Sequence, residues 1–256
     1  MRSVQLLSGQ QIPLLGLGTW DLRGQQCREV VGRALEMGYR HIDTAWMYEN
    51  QREVGEAIRS SSLSYDEIFL TSKIWHTHLK RDQVLSQHAE NLAQLGFGYV
   101  DLLLVHWPSS DMVVAETLDA FAQLQEEGRA RAIGVSNFSS ELIDQARQVS
   151  QVPINLNQFR CNVHNREEAL REHCQKLGIA VTAYTPLARG ALAEHEALES
   201  AAERHGKTAA QVALKWLVQK DVVVIPKASS SEHLLENMDL FDWQLSDREM
   251  AELDRS

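Results

Sequence analysis

The sequence is poor in the features that mark secreted, metal-bound and membrane proteins. Its three cysteines, Cys27, Cys161 and Cys174, are odd in number and widely scattered, and no Cys-x-x-Cys pair occurs. A disulfide framework or a zinc knuckle is therefore not expected, whereas reduced thiols in a cytoplasmic protein are. No apolar run approaches the roughly 18 residues of a membrane helix, and the first residues predict no leader segment. We therefore expect a soluble protein.

Positive charge is also scarce. Lys and Arg total 25 against 35 Asp and Glu, so the formal net charge is −10. Such a chain repels nucleic acid and anionic lipid, and neither is expected as a partner. By the same argument, an anionic ligand has to be held by local groups. No low-complexity linker or shift in composition divides the chain, which predicts a single domain over residues 1–256.

Two motif classes are missing as well. Gly16-Leu17-Gly18 begins a Gly-x-Gly, but the residues that follow do not complete the phosphate-binding fingerprint of a Rossmann fold. The ten histidines include His76 with His78 and His164 with His173, yet neither pair has further ligands at metal-site spacing. The sequence therefore predicts neither a Rossmann dehydrogenase nor a metal site.

What the chain does contain is a regular alternation of short apolar runs and segments with helical spacing. A Ser8-Gly9 turn joins two short runs and predicts an N-terminal β-hairpin, Val4–Leu7 with Ile12–Leu15. Helical spacing is clear in Cys27–Met37 and Gln83–Leu95. Eight further strands are predicted: Leu15–Thr19, Arg40–Asp43, Ile68–Lys73, Val100–His106, Ala130–Val135, Ile154–Gln158, Ile179–Tyr184 and Val222–Ile225. This α/β alternation favours a single closed (β/α)8 TIM barrel, which typically takes about 250 residues.

Polar side chains stand where several of these strands end. Asp43 ends the second strand and Tyr48 follows in the next loop, while Lys73 ends the third strand and His106 the fourth. In a (β/α)8 barrel the carboxyl ends of all strands meet on one face. We therefore expect these four side chains to converge in one mouth, although they are distant in sequence.

This set of side chains suits the reduction of a carbonyl group. A tyrosine with a pKa near 10 is a weak acid at neutral pH. An ammonium group ~4 Å away attracts its phenolate by about 4 kcal/mol at an effective dielectric of about 20, roughly three pKa units before desolvation is subtracted. Lys73 is thus expected to lower the pKa of Tyr48, with Asp43 keeping Lys73 charged and a neutral His106 orienting the substrate oxygen. A cofactor has to supply the hydride, because no side chain can.

Five strings make the chain resemble the aldo-keto reductases: Gly16-Leu17-Gly18-Thr19-Trp20, Tyr39-Arg40-His41-Ile42-Asp43-Thr44-Ala45, Leu104-Val105-His106-Trp107-Pro108, Gly134-Val135-Ser136-Asn137-Phe138 and Ile225-Pro226-Lys227. They come in that family's order and cover nearly the whole chain. The resemblance implies a (β/α)8 barrel, a catalytic tetrad matching Asp43, Tyr48, Lys73 and His106, and an extended NADPH bound without a Rossmann fold. Among the branches of the family, the chain is most similar to the bacterial 2,5-diketo-gluconate and methylglyoxal reductases.

The resemblance also implies the cofactor contacts, which fall into groups for the nicotinamide, the phosphates and the adenine. They are Ser136, Asn137 and Gln158 for the carboxamide, Tyr184 for stacking on the nicotinamide, Lys227, Ser229 and Ser230 for the 2′-phosphate, Glu236 and Asn237 for adenine, and Thr19, Asp43, Pro186, Leu187 and His233 to complete the set. A helix that begins near Ser231 would add its positive end to the phosphate site.

The chain departs from the family's pattern at two positions. His233 stands where an arginine usually lies over the adenine and the 2′-phosphate, and histidine cannot make the bidentate guanidinium–phosphate contact. We therefore expect NADPH to be the better cofactor, with less discrimination against NADH than usual. Arg160 stands where an acidic residue is common, and it either attracts a carboxylate-bearing substrate or is a solvated or salt-bridged structural arginine.

The substrate pocket is expected to be aromatic and open. Trp20, Trp75 and Trp107 lie next to mouth positions, and together with Tyr48 and His106 they form the predicted pocket lining. Only a short C-terminal tail follows the helical segment Asp247–Leu253, so little C-terminal loop is expected over the pocket. Such a site predicts small aldehydes, α-dicarbonyls or keto-sugars as substrates.

The expected function is thus NADPH-dependent carbonyl reduction with Tyr48 as the proton donor. A non-catalytic NADP(H)-binding sensor or regulatory subunit on the same fold is the main alternative. A structural or storage role, and an aldolase with a Schiff base on Lys73, are two others. A small carbonyl substrate is the only partner expected, and a monomer is predicted because no charge seam or exposed apolar helix calls for a second chain.

Overall fold

The computed structural model describes residues 2–192 and 195–255 and begins with a small hairpin. Its strands, β1 (Ser3–Gln5) and β2 (Gln11–Pro13), pair antiparallel, which confirms the predicted hairpin. Both strands are shorter than expected. The turn is already closed by the hydrogen bond from Leu6 N to Gln10 O, and Leu15 leaves the hairpin to join the barrel.

Eight parallel strands form the barrel, each paired with its predecessor in the chain. They are β3 (Leu17–Gly18), β4 (His41–Asp43), β5 (Phe69–Ile74), β6 (Val100–Val105), β7 (Ala130–Ser136), β8 (Ile154–Arg160), β9 (Ala180–Tyr184) and β10 (Val223–Val224). The first and last are joined where Gly16 N donates to Val224 O at 2.9 Å and Val224 N donates to Leu14 O at 2.8 Å. The predicted (β/α)8 barrel is therefore confirmed.

Six of the eight strand ends at the barrel mouth differ from the prediction by one or two residues, and two of the six concern predicted catalytic residues. Lys73 is expected to end its strand, but β5 continues to Ile74. His106 is expected to end the next strand, but β6 stops at Val105, and His106 N donates to Ile74 O at 2.9 Å. Lys73 consequently lies inside the barrel wall, whereas His106 begins the loop above it.

Ten helices are described: α1 (Gly24–Met37), α2 (Gln51–Ser60), α3 (Arg81–Leu95), α4 (Val114–Glu126), α5 (Ser140–Val149), α6 (Glu168–Lys176), α7 (Glu196–His205), α8 (Ala209–Val218), α9 (Ser231–Met238) and α10 (Asp247–Arg255). The predicted spacing is found in α1, whose buried residues recur three and four apart at Cys27, Val30, Val31, Ala34 and Leu35. Gly38 ends α1 in the left-handed region at φ 109°, which glycine adopts without strain. Within the described residues, none of these helices has the length and apolarity needed to span a bilayer.

The strands in the middle of the sheet order are covered on both faces. Every residue of β5 and β6 is buried, and β6 is the nearly continuous apolar run that a strand covered on both faces requires. The same packing buries polar groups, among them His41 on β4 and His88 on α3. Burial lowers the pKa of His41 and of His88 to about 4 in each case. Both rings are therefore neutral at physiological pH.

These two histidines predict acid-sensitive stability. The unfolded chain binds a proton at each ring below pH ~6.5, but the folded chain does not until about pH 4, so the free energy of unfolding falls as the pH drops through this window. Each ring contributes about 3 kcal/mol to that fall. Urea unfolding of a His88→Gln variant at pH 7 and pH 4 measures the part of this fall that comes from His88. The variant His233→Gln, at an exposed position, is the matched control. Identical pH dependence in the wild type and His88→Gln would refute the prediction.

Candidate active site

A cavity of about 890 Å³ opens at the end of the barrel where the strands have their carboxyl ends. Three of the four predicted catalytic residues, Asp43, Tyr48 and His106, line it. Lys73 does not, because it is completely buried behind them. The topology thus brings the four side chains together as expected, with the lysine below the cavity floor.

All three N–H donors of the Lys73 ammonium are used. Nζ donates to Asp43 Oδ1 at 2.6 Å, to the Thr44 carbonyl at 2.9 Å and to the Tyr48 hydroxyl oxygen at 3.3 Å. Both charged groups of the Lys73–Asp43 pair are desolvated, with exposed fractions of 0% and 1%. Because the ammonium occupies a lone pair of the Tyr48 oxygen, the phenol's own proton points away from Lys73.

The local backbone explains how these groups meet. β4 and β5 pair with Asp43 opposite Thr71, and Lys73 lies two residues further along β5 on the same face as Thr71. Tyr48 is carried over the pair by the 3₁₀ turn Trp46–Tyr48, which is closed by a bond from Tyr48 N to Ala45 O at 3.0 Å. A tight turn soon after β4 thus brings Tyr48 back over Asp43, the last residue of that strand.

The pKa of Tyr48 does not shift in the expected direction. Burial, and after it the Asp43 carboxylate, raises the pKa of Tyr48 well above its ordinary value of 10.0. Burial therefore outweighs the attraction of the Lys73 ammonium, which the sequence argument counted before desolvation. The physical reason is that Asp43 lies 2.6 Å from Lys73, so the phenol borders a neutral pair in a desolvated site. Tyr48 keeps its proton throughout the physiological pH range.

His106 is a neutral ring at the cavity wall. Burial, followed by the nearby charges of Lys73 and His76, lowers the pKa of His106 to about 2. Its ring stands edge-on to Tyr48 and Trp75, with centroid distances of 5.5 Å and 5.1 Å. Its Nδ1 atom is buried and, within the described residues, has no hydrogen-bond partner. A neutral imidazole beside the Tyr48 hydroxyl can donate one hydrogen bond to a ligand oxygen.

A chain of amides and hydroxyls continues from Asp43 across the cavity floor. Gln158 Nε2 donates to the second carboxylate oxygen, Asp43 Oδ2, at 2.8 Å. Ser136 Oγ donates to Gln158 O at 2.7 Å, and Asn137 Nδ2 donates to the His106 carbonyl at 3.0 Å. The Tyr184 hydroxyl donates to Asn137 Oδ1 at 2.7 Å. These bonds join four strands into one rigid polar floor.

The predicted pocket residues all line the cavity. Trp20 and Trp107 are exposed at its rim, Trp75 is half-buried deeper in the wall, and Tyr48 and His106 form the floor. The cavity is therefore aromatic on the side of β3 to β6, as the sequence predicts.

The predicted cofactor residues divide into two groups. Those on the cavity wall are Asp43, Ser136, Asn137, Gln158, Tyr184, Pro186, Leu187 and Lys227. Those outside its lining are Thr19, Ser229, Ser230, His233, Glu236 and Asn237. Thr19 is buried behind the wall, where its backbone N–H and its hydroxyl both donate to Asp43 O at 3.0 Å.

The remaining residues of the second group belong to α9 and the segment before it. Ser230 caps α9, its hydroxyl accepting from His233 N at 3.2 Å, so the predicted helix start is confirmed. Glu236 accepts from the hydroxyl of Thr208, a cavity-lining residue, which attaches α9 to the rim. Asn237 is buried and bonds to the Tyr39 side chain.

Several lining residues escape the sequence reasoning. Met47, Arg189 and Thr208 line the cavity but stand in no recognisable motif. Arg189 places its guanidinium 5.3 Å from the Trp20 ring centroid, across the cavity from β3 to the loop after β9. Asn50, also missed, braces the wall by donating to Thr19 O and Leu22 O at 2.8 Å and 3.0 Å. Only tertiary contacts distinguish these side chains from ordinary loop residues.

The histidine pairs noted in the sequence do not build a metal centre. Over residues 2–192 and 195–255, no group of three or more His, Cys, Asp or Glu side chains is placed to hold a metal ion. His164 instead packs against the His195 ring at 5.5 Å, and His173 pairs with Asp144 at 2.9 Å.

Known proteins share this architecture over almost the whole chain. The Aldo/keto reductase family matches residues 14–256. An aldo-keto reductase of Mycobacterium sp. (strain KMS) is 39% identical over 255 residues, which cover 98% of this chain and 91% of the relative. Glyoxal reductase of Bacillus subtilis (strain 168) is 36% identical over 253 residues, covering 98% and 91%. A solved structure provisionally assigned as a 2,5-diketo-D-gluconic acid reductase B has a TM-score of 0.95 at 36% identity, covering 100% of this chain and 92% of that chain.

These likenesses agree with the residues that carry the resemblance in the sequence. The matched region contains all five strings, and the similar proteins include reductases of glyoxal and of diketo-gluconic acid, the kind of branch expected. The identity exceeds a third over more than nine tenths of each chain. The chain therefore belongs to the aldo-keto reductases, oxidoreductases that reduce carbonyl groups with nicotinamide cofactors.

Proposed function

We propose that this protein reduces small aldehydes, α-dicarbonyls or keto-sugars to alcohols with NADPH, and that Tyr48 is the proton donor. The observation that carries the proposal is the hydrogen-bonded Asp43–Lys73–Tyr48 array beneath a cavity that His106 also lines. A bound reduced nicotinamide supplies the hydride. The side chains of the floor supply everything else the reaction needs.

The donor set of the cavity fits a nicotinamide. Gln158 uses its Nε2 on Asp43, so its side-chain oxygen is left to accept from a carboxamide N–H. Ser136 and Asn137 lie beside it, and the half-buried Tyr184 ring offers an aromatic face on the same wall. The orientation of Tyr184 is held by its bond to Asn137. Uncharged amides and a ring, in place of ionised groups, are what a carboxamide-bearing heterocycle requires.

Tyr48 delivers the proton in this mechanism. Its hydroxyl gives H⁺ to the carbonyl oxygen as the carbonyl carbon receives the hydride, and a C–H and an O–H bond form as the C=O double bond becomes single. The phenolate left on Tyr48 faces the Lys73 ammonium at 3.3 Å, which stabilises it until solvent returns the proton. A high pKa in the resting site keeps the proton available, and the lysine acts when the negative charge develops.

His106 positions the substrate oxygen. Because burial keeps the ring neutral, it donates a hydrogen bond without bringing a second mobile proton or a charge. Trp75 and Tyr48 hold the ring edge-on from two sides. Donors from His106 and Tyr48 thus meet at one point, where the carbonyl oxygen is proposed to sit.

The 2′-phosphate of the cofactor is proposed to bind at the start of α9. Lys227, Ser229 and Ser230 precede this helix, and its first N–H groups add partial positive charge. His233 lies one turn in and is exposed, where the family's usual arginine would reach the phosphate.

The His233→Arg substitution is expected to increase the preference for NADPH. A guanidinium can make a bidentate, charge-assisted contact with the phosphate, which corresponds to roughly a tenfold or greater rise in the kcat/KM ratio of NADPH over NADH. Steady-state kinetics with both cofactors measures the ratio, and His233→Gln controls for loss of the imidazole. An unchanged ratio in His233→Arg, or a wild-type ratio above several thousand, would argue against this placement of the phosphate.

The direct test of the function is NADPH oxidation at 340 nm with methylglyoxal as substrate, run beside NADH. Turnover that saturates with both substrate and NADPH supports the proposal. Tight binding of NADPH without turnover of methylglyoxal or of a panel of aldehydes and ketones would favour a cofactor-sensing role instead.

A further inference from the structure

The cavity is locally positive in an acidic protein. Its charged lining residues are Arg160, Arg189, Lys227 and Asp43. Asp43 is balanced by Lys73 at 2.6 Å, so the cations dominate the field inside the cavity. The chain as a whole has a formal charge of −10. Positive charge inside the cavity of a negatively charged protein favours the binding of an anionic ligand in that cavity.

The position of Arg160 follows from the pleat of β8. Gln158 points into the barrel, since it bonds to Asp43, and side chains two residues apart on a strand share a face. Arg160 therefore points into the mouth, about 7 Å further along the strand than Gln158. It stands opposite Tyr184 of β9, the ring proposed for the nicotinamide. Its guanidinium thus overlooks the reaction site from the rim.

Electrostatics place both arginines around the same tyrosine. Burial raises the pKa of the Tyr184 phenol, and Arg160 is the first group that opposes this shift, with Arg189 acting in the same sense. Arg189 is turned toward Trp20 on the opposite wall. Arg160, which also donates a side-chain hydrogen bond to Tyr184, is accordingly the guanidinium nearer this tyrosine.

Neither arginine has an acidic partner in the part of the chain that the structure describes. All the ion pairs there involve other basic residues, such as Arg131 with Asp66 and Asp101, and Arg204 with Glu249. An exposed arginine on an outer surface needs no partner, but Arg160 lines a cavity. One of its donors bonds to the Tyr184 hydroxyl, and the others are left for a ligand that fills the mouth.

We propose that Arg160 binds the carboxylate of the substrate, so that the preferred substrates are carbonyl compounds carrying a carboxylate several bonds from the reacting carbon. This inference rests on the proposed reductase function and narrows its substrate class. Arg160 lies at the rim and Tyr48 and His106 lie on the floor of the same cavity, so the carboxylate and the carbonyl of the substrate have to be separated, as they are in a four-carbon aldehyde acid or a para-substituted aromatic aldehyde. The other source of an anion is a phosphate of the cofactor, and the test below separates the two.

The test compares 4-carboxybenzaldehyde with its methyl ester, methyl 4-formylbenzoate, as NADPH-dependent substrates. The two have the same ring and reacting group but differ in charge, and intrinsic reactivity cancels when their kcat/KM ratio is compared between variants. We expect Arg160→Gln to lower the acid-to-ester ratio of kcat/KM on the order of tenfold. This is the lower end of the effect of losing a charge-assisted hydrogen bond, because Arg160 is partly solvated. Arg160→Lys keeps the charge and should restore most of the ratio.

Two controls make the result specific. Arg147→Gln removes the same charge from an exposed position on α5, outside the cavity lining, and should leave the ratio unchanged. The Kd for NADPH, followed by tryptophan fluorescence, should be the same in Arg160→Gln as in the wild type. Raising the salt concentration should reduce the acid preference of the wild type but not of Arg160→Gln.

Three outcomes would overturn the inference. An acid-to-ester ratio within twofold of wild type in Arg160→Gln shows that Arg160 does not bind the carboxylate. The same ratio together with a raised Kd for NADPH assigns the guanidinium to a cofactor phosphate. If the wild type reduces neither compound nor methylglyoxal, the proposed function fails and the inference fails with it; turnover of all three with an unchanged ratio rejects the inference alone.

Discussion

Tyr48→Phe is expected to lower kcat for carbonyl reduction by at least about 100-fold, since a positioned general acid contributes roughly 10² to 10⁴ to a rate. The substitution removes only the hydroxyl. The ring keeps its edge-on contact with His106, and Lys73 keeps its bonds to Asp43 and Thr44. The loss should therefore appear in kcat, with the Kd for NADPH and the free energy of unfolding close to wild type.

The measurement is single-turnover and steady-state reduction of methylglyoxal, with NADPH binding followed separately. Tyr99→Phe is the matched control, because it also removes one phenol oxygen, one that bonds to Asp66 just before β6 at the other end of the barrel. A Tyr48→Phe enzyme within tenfold of the wild-type kcat would show that another group delivers the proton. Equal losses in Tyr48→Phe and Tyr99→Phe would indicate a general effect on stability.

Lys73→Met is expected to destabilise the protein by about 3–5 kcal/mol in addition to reducing activity. Methionine has a similar length, but it leaves the Asp43 carboxylate buried without its cation, and breaking one side of a buried ion pair costs about this much. Gln158 still bonds to that carboxylate, but it brings no compensating charge. Lys73→Met should also remove the group that stabilises the Tyr48 phenolate.

A double substitution separates the two roles of Lys73. In Lys73→Met with Asp43→Asn no charge is left buried, so most of the lost stability should return, while the activity should not. Urea unfolding gives the stability of the two single variants and the double variant, and methylglyoxal reduction gives their activity. Additive losses in the double variant would mean that the two residues are not coupled. Recovery of activity along with stability would deny Lys73 a chemical role.

Much of the fold can be predicted from local patterns in the chain. β6 is apolar except for Asp101 because both of its faces are covered, and α1 repeats its buried residues three and four apart. Ser8-Gly9 marks a turn, and Gly38 ends a helix in a conformation that suits glycine. Strand ends are less well predicted, as at His106, because pairing with the neighbouring strand decides where a strand stops.

The identity of the four predicted catalytic residues is likewise visible in the sequence. Asp43, Lys73 and His106 stand at or near strand ends, and the barrel topology brings such positions to one face. The pattern cannot show that the Gln158 amide bonds to Asp43 from 115 positions away, or that Arg189 lies over Trp20. Those contacts depend on which loops face each other once the barrel is closed.

The sequence by itself therefore determined the barrel, its hairpin and the set of chemical groups at the mouth, since strand periodicity, turn residues and strand-end polarity are local properties. Only the tertiary structure decided how those groups behave. Burial and the Asp43 carboxylate raise the pKa of Tyr48 and outweigh the attraction of the Lys73 ammonium. The Arg160 side chain likewise lines the mouth only because the barrel is closed. The pKa of Tyr48 and the orientation of Arg160 both depend on burial and on distances between side chains, which are set only when the strands have closed around the site.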